Sequence, residues 1–191
     1  MVTERDAIAI SFLEQFNMAV PKQIAKVAYE DNLKICYNRL NRLHKDKLIY
    51  KTENKIGKGF IYSAYRIRSL KQFIHNNIRV EFFLKLLHES DIDEFKVEPV
   101  MENIRPDLVV KGTYKHQKYS FIVEIETKQN HSSINYDKHF NFLLINWRKY
   151  FNEDDKPIIV YITDKKVDSS KIKFEYRHIK TDLSNFQDIF S

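Results

Sequence analysis

The sequence predicts an α+β protein in two parts: a helical unit closed by a hairpin over residues 1–68, and a small α/β unit with a mixed central sheet over residues 69–191. Three observations predict it. Apolar residues recur at helical spacing three times before residue 47, then give way to two short β-like runs around a glycine-bearing tip. A further helical pattern from about residue 70 precedes three strand-like runs, another helix and the continuous apolar run 157–162. Charge divides at the same place. Residues 1–68 hold 13 Lys and Arg against 7 Asp and Glu, a net of +6, whereas the remaining 123 residues hold 19 of each.

Composition narrows the classes. The chain has 191 residues, 43% of them apolar, which suffices for the core of one large or two small domains. No apolar run nears the roughly 20 residues that cross a bilayer. The charged start at Glu4, Arg5 and Asp6 lacks the layout of a signal peptide. A single cysteine, Cys36, excludes an internal disulfide and a multi-cysteine metal site. A cytoplasmic protein without a membrane partner is expected. The excess positive charge of the first third points to a polyanion, since neutralised phosphates release counterions and add affinity.

Thr3 and Asp6 supply cap chemistry for a first helix with the stripe Ile8, Phe12, Leu13 and Phe16. Pro21 suits the first turn of a second helix, carrying Ile24, Val27 and Ala28. Asp31 or Asn32 caps a third, running to about residue 47 with Leu33, Cys36, Leu40 and Leu43 on one stripe. Lys34, Asn38, Asn41, Arg42 and Lys45 fall on the opposite face, and these residue types reach base edges and phosphates in a major groove. β-like runs at 48–52 and 60–67 flank the tip ENKIGKG, which places two of the chain's three glycines beside Lys55 and Lys58. A glycine-hinged hairpin ending in lysines suits a DNA backbone. Three short helices and a basic hairpin resemble the winged helix-turn-helix domain, which implies double-stranded DNA as partner. Protein contacts alone are the alternative, against which the polar face of the third helix argues.

Ser69 is the expected cap of a long helix over 70–88, with Phe73, Val80, Phe83, Leu84 and Leu87 apolar. Strands are expected at 95–101, 106–111 and 119–126, the last two joined by a turn at 112–116. A helix over 133–151 carries Tyr136, Phe140, Leu143, Leu144 and Trp147, and 157–162 reads as a strand buried on both faces. A last strand near 172–179 and a short helix complete the chain. His131, Asp137 and His139 have loosely metal-like spacing, but His131 and Asp137 do not align on a helix, so a surface role is expected. No Gly-rich phosphate loop is present.

Helix, three strands, helix, strand, with Pro106-Asp107 followed by Glu124-Ile125-Glu126, resembles the core of the PD-(D/E)XK nuclease superfamily. That superfamily's usual lysine falls at position 126, where this chain has glutamate, and Lys128 is the candidate substitute. Glu81, on the preceding helix, matches the extra acid that the fold often contributes. The N-terminal helices and hairpin, followed by EIETKQN, YDKHFNFL and KPIIVYIT, also resemble the replication-relaxation family of plasmids and related mobile elements.

The carboxylates can also be read directly. Residues two apart in a strand share a face, so Glu124 and Glu126 point the same way, and Asp107 on a pairing strand comes near Glu124. Mg²⁺ or Mn²⁺ takes carboxylate oxygens, polarises a phosphodiester and lowers the pKa of an attacking water. Asp107 and Glu124 are the expected ligands, with the main-chain carbonyl of Ile125, and the nuclease resemblance adds Glu81 to the metal set, while Glu126 orients or deprotonates the water. Arg105, Lys111, Lys115 and Lys118 are expected to guide the phosphate backbone. Carboxylates on a solvated sheet end, or paired with lysines, are the alternative. The expectation is a DNA-binding protein of a plasmid or phage with a nuclease-like domain. Its rival is a non-enzymatic transcriptional regulator, or a replication or transfer accessory factor with a degenerate nuclease fold. In that case the sheet unit contacts a partner, a second copy of the chain included.

Overall fold

A computed structural model describes residues 1–67, 70, 72–127, 134–152 and 155–191. They form two compact units, Met1–Leu84 and Lys85–Ser191. In the first, α1 (Glu4–Phe16) starts on a reciprocal cap, in which the Thr3 hydroxyl accepts from the Asp6 N–H and the Asp6 carboxylate accepts from the Thr3 N–H. Ala9, Phe12, Leu13 and Phe16 are its buried stripe. Ile8, expected inside, is exposed because Ala9 takes the inward position one residue on. Next come β1 (Met18–Ala19), α2 (Pro21–Ala28) with proline at its first turn, and α3 (Leu33–Lys45), capped by the Asn32 side chain on the Ile35 N–H at 3.0 Å. Cys36, Leu40 and Leu43 are buried, and the Cys36 thiol meets the Pro21 carbonyl at 3.4 Å. Leu33, expected on that stripe, stands at the first helical position and is exposed.

β2 (Tyr50–Glu53) and β3 (Phe60–Ser63) form an antiparallel hairpin, shorter than the expected runs, and β1 adds to the far side of β3. A two-residue strand leaves no periodicity in sequence, so β1 was not foreseen. Asp6 is fully buried at the junction of these helices, accepting from the Tyr29 hydroxyl at 3.0 Å and from the Arg39 guanidinium, whose Nε lies 2.9 Å away.

α4 (Phe73–Glu89) crosses the boundary between the units. The two compact units meet within this helix, whose Phe73 joins Met18 and Ile61 in one apolar cluster of the first unit. Ser69 lies outside the described residues. Phe73, Val80 and Leu84 are buried as expected, whereas Leu87 is exposed and Leu86 is buried in its place.

The second unit is built on a mixed sheet in the order β4-β5-β6-β7-β8, from β4 (Asp91–Val97), β5 (Leu108–Tyr114), β6 (Gln117–Glu126), β7 (Ile158–Thr163) and β8 (Tyr176–Ile179). β4, β5 and β6 are antiparallel neighbours, and β6, β7 and β8 are parallel. On one face, Val109, Ile122, Ile159 and Tyr161 pack with Phe142 and Leu143 of α5 (Tyr136–Ile145) and with Trp147 in the 3-10 turn that follows. α5 is shorter than expected, and Leu144, expected on its apolar stripe, is exposed, as is Ile145. The start expected for it at 133 is outside the described residues.

β4 begins four residues before its expected start, since at a sheet edge Asp91 and Asp93 face water and Glu94 pairs with Lys96 and Lys111 without breaking the strand. Nor is 112–116 a turn. The β5–β6 hairpin closes through Lys115 and His116 alone, both at positive φ (46° and 69°), and Gly112 lies within β5. A Cβ on Gly112 would sit 2.3 Å from the Asp91 carbonyl oxygen and 2.4 Å from the Tyr119 hydroxyl. Gly112→Ala is expected to lower stability by about 1–3 kcal/mol in a urea titration, because main chain must give way. Among the described residues no helix is long and apolar enough to cross a membrane.

Candidate functional site

β6 and β7 end side by side, with Glu126 opposite Thr163. The carboxyl ends of parallel strands are where open α/β sheets hold ligands. Glu124 and Glu126 share the face covered by α5, as alternation requires. His139, almost wholly buried on α5, places Nε2 2.7 Å from Glu124 Oε1 and Nδ1 2.7 Å from the Tyr161 hydroxyl. Burial, with Glu124 and Tyr136 nearby, holds the Tyr161 phenol well above its ordinary pKa. A carboxylate only accepts, so His139 Nε2 donates to Glu124. The Lys138 ammonium approaches the same Oε1 at 3.5 Å, and Lys165, two residues beyond β7, lies 3.2 Å from Glu126 Oε2.

Asp107 directly precedes β5, one step beyond the Leu108–Val123 pair, and its Oδ2 accepts from the Ile125 N–H at 2.7 Å. Ile125 itself is buried on the opposite face. Glu81 lies in the first compact unit, where it accepts from Gln23 Nε2 at 2.9 Å. Lys128 and His131 are outside the described residues. Among the described residues no group of three or more His, Cys, Asp or Glu side chains is gathered to hold a metal ion. The donor chemistry of Asp107 and Glu124, oxygen alone, nevertheless suits Mg²⁺ or Mn²⁺.

The expected phosphate guides scatter. Lys111 pairs with Glu94 at 2.9 Å and donates to the Tyr150 carbonyl at 3.0 Å, and Arg105 pairs with Glu98 at 2.9 Å. Lys115 and Lys118 belong to the hairpin end of β6, where Lys118 faces Thr113, well away from Glu124. The surface role expected for His139 is overturned. It sits three residues after Tyr136 and four before Leu143, on the inward stripe, and that spacing was the signal available in sequence.

In the first unit Lys34, Asn38, Arg42 and Lys45 are exposed along α3, with Arg42 Nε 3.9 Å from Asp46. Lys55 and Lys58 are exposed at the hairpin tip, which Asn54 shapes by accepting from the Ile56 and Gly57 N–H groups and in which Gly59 takes φ 84°. Asn41 is engaged differently. Its Oδ1 accepts from Lys51 Nζ at 2.9 Å and from the buried Tyr62 hydroxyl at 3.1 Å, and the Lys51 ammonium lies 3.8 Å over the Phe60 ring. Lys51 and Phe60 carried no sequence signal beyond their place in the β-like runs. No family model matches the chain, and no curated protein is significantly similar to it in sequence.

Proposed function

We propose that this chain is a duplex-DNA-binding protein of mobile elements, a winged helix joined to a PD-(D/E)XK-like domain in the manner of the replication-relaxation family. The observation that carries the reading is the order α1-β1-α2-α3-β2-β3, with Lys34, Asn38, Arg42 and Lys45 exposed on the third helix and Lys55 and Lys58 at the hairpin tip. A winged helix uses its third helix in a major groove and its hairpin against the backbone.

In the second unit, helix, three strands, helix and strand in succession, with carboxylates at the end of β6, support the nuclease-like reading. Asp107 and Glu124, with the Ile125 carbonyl, would hold Mg²⁺ or Mn²⁺, which when bound polarises a phosphodiester. Glu126 orients a water, while Lys138 and Lys165 neutralise phosphate charge and Lys165 stands in for the lysine that position 126 lacks. The second reading is a non-enzymatic regulator or accessory factor with a degenerate nuclease fold. It is favoured by the ion pairs that already engage Glu124 and Glu126.

Titration of duplex DNA at several salt concentrations tests the DNA reading. With about four phosphate contacts, affinity is expected to fall about 100-fold between 50 and 200 mM salt. Arg42→Ala and Lys58→Ala are each expected to weaken binding by about 1 kcal/mol and flatten the salt slope. Affinity indifferent to salt overturns the reading.

A further inference from the structure

We propose that Asn41 contacts DNA as a donor alone, and so selects guanine over adenine at the base pair it reaches. The inference rests on the winged-helix reading and deepens it.

An asparagine amide offers one acceptor and two donors on opposite sides of a planar group, and which side faces outward decides what it recognises. The ammonium of Lys51 can only donate, so the Asn41 atom 2.9 Å from it is the carbonyl oxygen. The Tyr62 hydroxyl, on a fully buried ring, donates to that same oxygen. Lys51 is itself held against the Phe60 ring. Both lone-pair directions of Oδ1 are thus taken from the hairpin side. The exposed residue presents its Nδ2 group, which has no partner among the described residues.

In the major groove adenine pairs an acceptor, N7, with a donor, N6, and the two-point asparagine contact to adenine needs oxygen and nitrogen of the amide together. Asn41 lacks the oxygen. Guanine offers two adjacent acceptors, N7 and O6, and a donor-only amide meets both without opposing a base donor. The hairpin therefore sets the reading of the helix, through Lys51 and Tyr62, without touching a base itself.

Selection from randomised duplexes, followed by titration of single-base variants at fixed salt, tests this. Asn41→Ala identifies the position that Asn41 reads, as the one where preference disappears. There the wild type is expected to favour guanine over adenine by about tenfold. In a Lys51→Met, Tyr62→Phe double variant the amide can turn, and that gap is expected to shrink below about threefold. Any uniform loss of phosphate attraction cancels from the ratio. Adenine preferred by the wild type, no position altered by Asn41→Ala, or an unchanged ratio in a folded double variant overturns the inference and leaves DNA binding standing. No duplex binding by the wild type removes the reading beneath it.

Discussion

Asp6→Ala is expected to lower the stability of the first unit by about 3–5 kcal/mol, enough to leave a marginal domain largely unfolded. The carboxylate is fully buried and engages Arg39, Tyr29 and Thr3. Without it the largely covered guanidinium loses its counter-charge, the Tyr29 hydroxyl loses its acceptor and α1 loses its reciprocal cap. Removing one partner of such a pair costs far more than the pair contributes, so Asp6→Leu with Arg39→Met is expected to recover most of the loss. Urea titrations of the wild type and these two variants make the comparison. Burial alone would raise the pKa of this carboxyl, but Arg39, Thr3 and Tyr29 outweigh it and hold it well below the usual carboxylate range. A depressed folded-state pKa contributes stability that is complete above about pH 4 and is lost as pH falls below it. Wild type is therefore expected to weaken in acid, with Asp6→Asn flatter over that window.

The second large effect concerns Glu124. In calorimetric titrations with Mn²⁺, Glu124→Ala is expected to abolish the binding heat and any metal-dependent cleavage of plasmid or branched DNA. Affinity for a short duplex is expected to stay within about twofold, because the duplex-docking contacts proposed for α3 and the hairpin tip lie in the first unit. His139→Gln, which keeps a polar group but not the Tyr161–His139–Glu124 chain, is expected to weaken metal binding about 10–100-fold, as partners that orient a ligand do. Heat and cleavage identical in wild type and Glu124→Ala would remove the carboxylate site from the reading. A folded wild type that binds no Mn²⁺, with or without DNA, transfers the weight to a regulator or accessory factor.

Helices were the easiest elements to read, since Phe12, Leu13 and Phe16, then Cys36, Leu40 and Leu43, repeat at the spacing of one buried face. Strand limits were harder. β4 hides behind acids that an edge tolerates, and Gly112 resembles a turn residue although a cross-strand tyrosine and a neighbouring carbonyl are what exclude its side chain. Glu124 and Glu126 were legible as a same-face pair, because alternation is a local rule. Their partners were not. His139, Lys138 and Lys165 lie 15, 14 and 39 residues from the carboxylates they meet, and only the parallel pairing of β6 with β7 and the docking of α5 bring them there. Asn41 shows the same limit on the other unit, where its amide orientation depends on residues 10 and 21 positions away.

The chain's one thiol sits between α2 and α3 with no exposed surface, and burial pushes it up to about 12. At neutral pH it is neither accessible nor ionised, so alkylating reagents in solution meet it only when that helix pair opens. Its labelling rate is thus a native clock for the parting of these helices, needing no introduced probe. In mild denaturant, where modification is fast against reclosing, the clock reads the opening rate; in native buffer it reads the population of the open form.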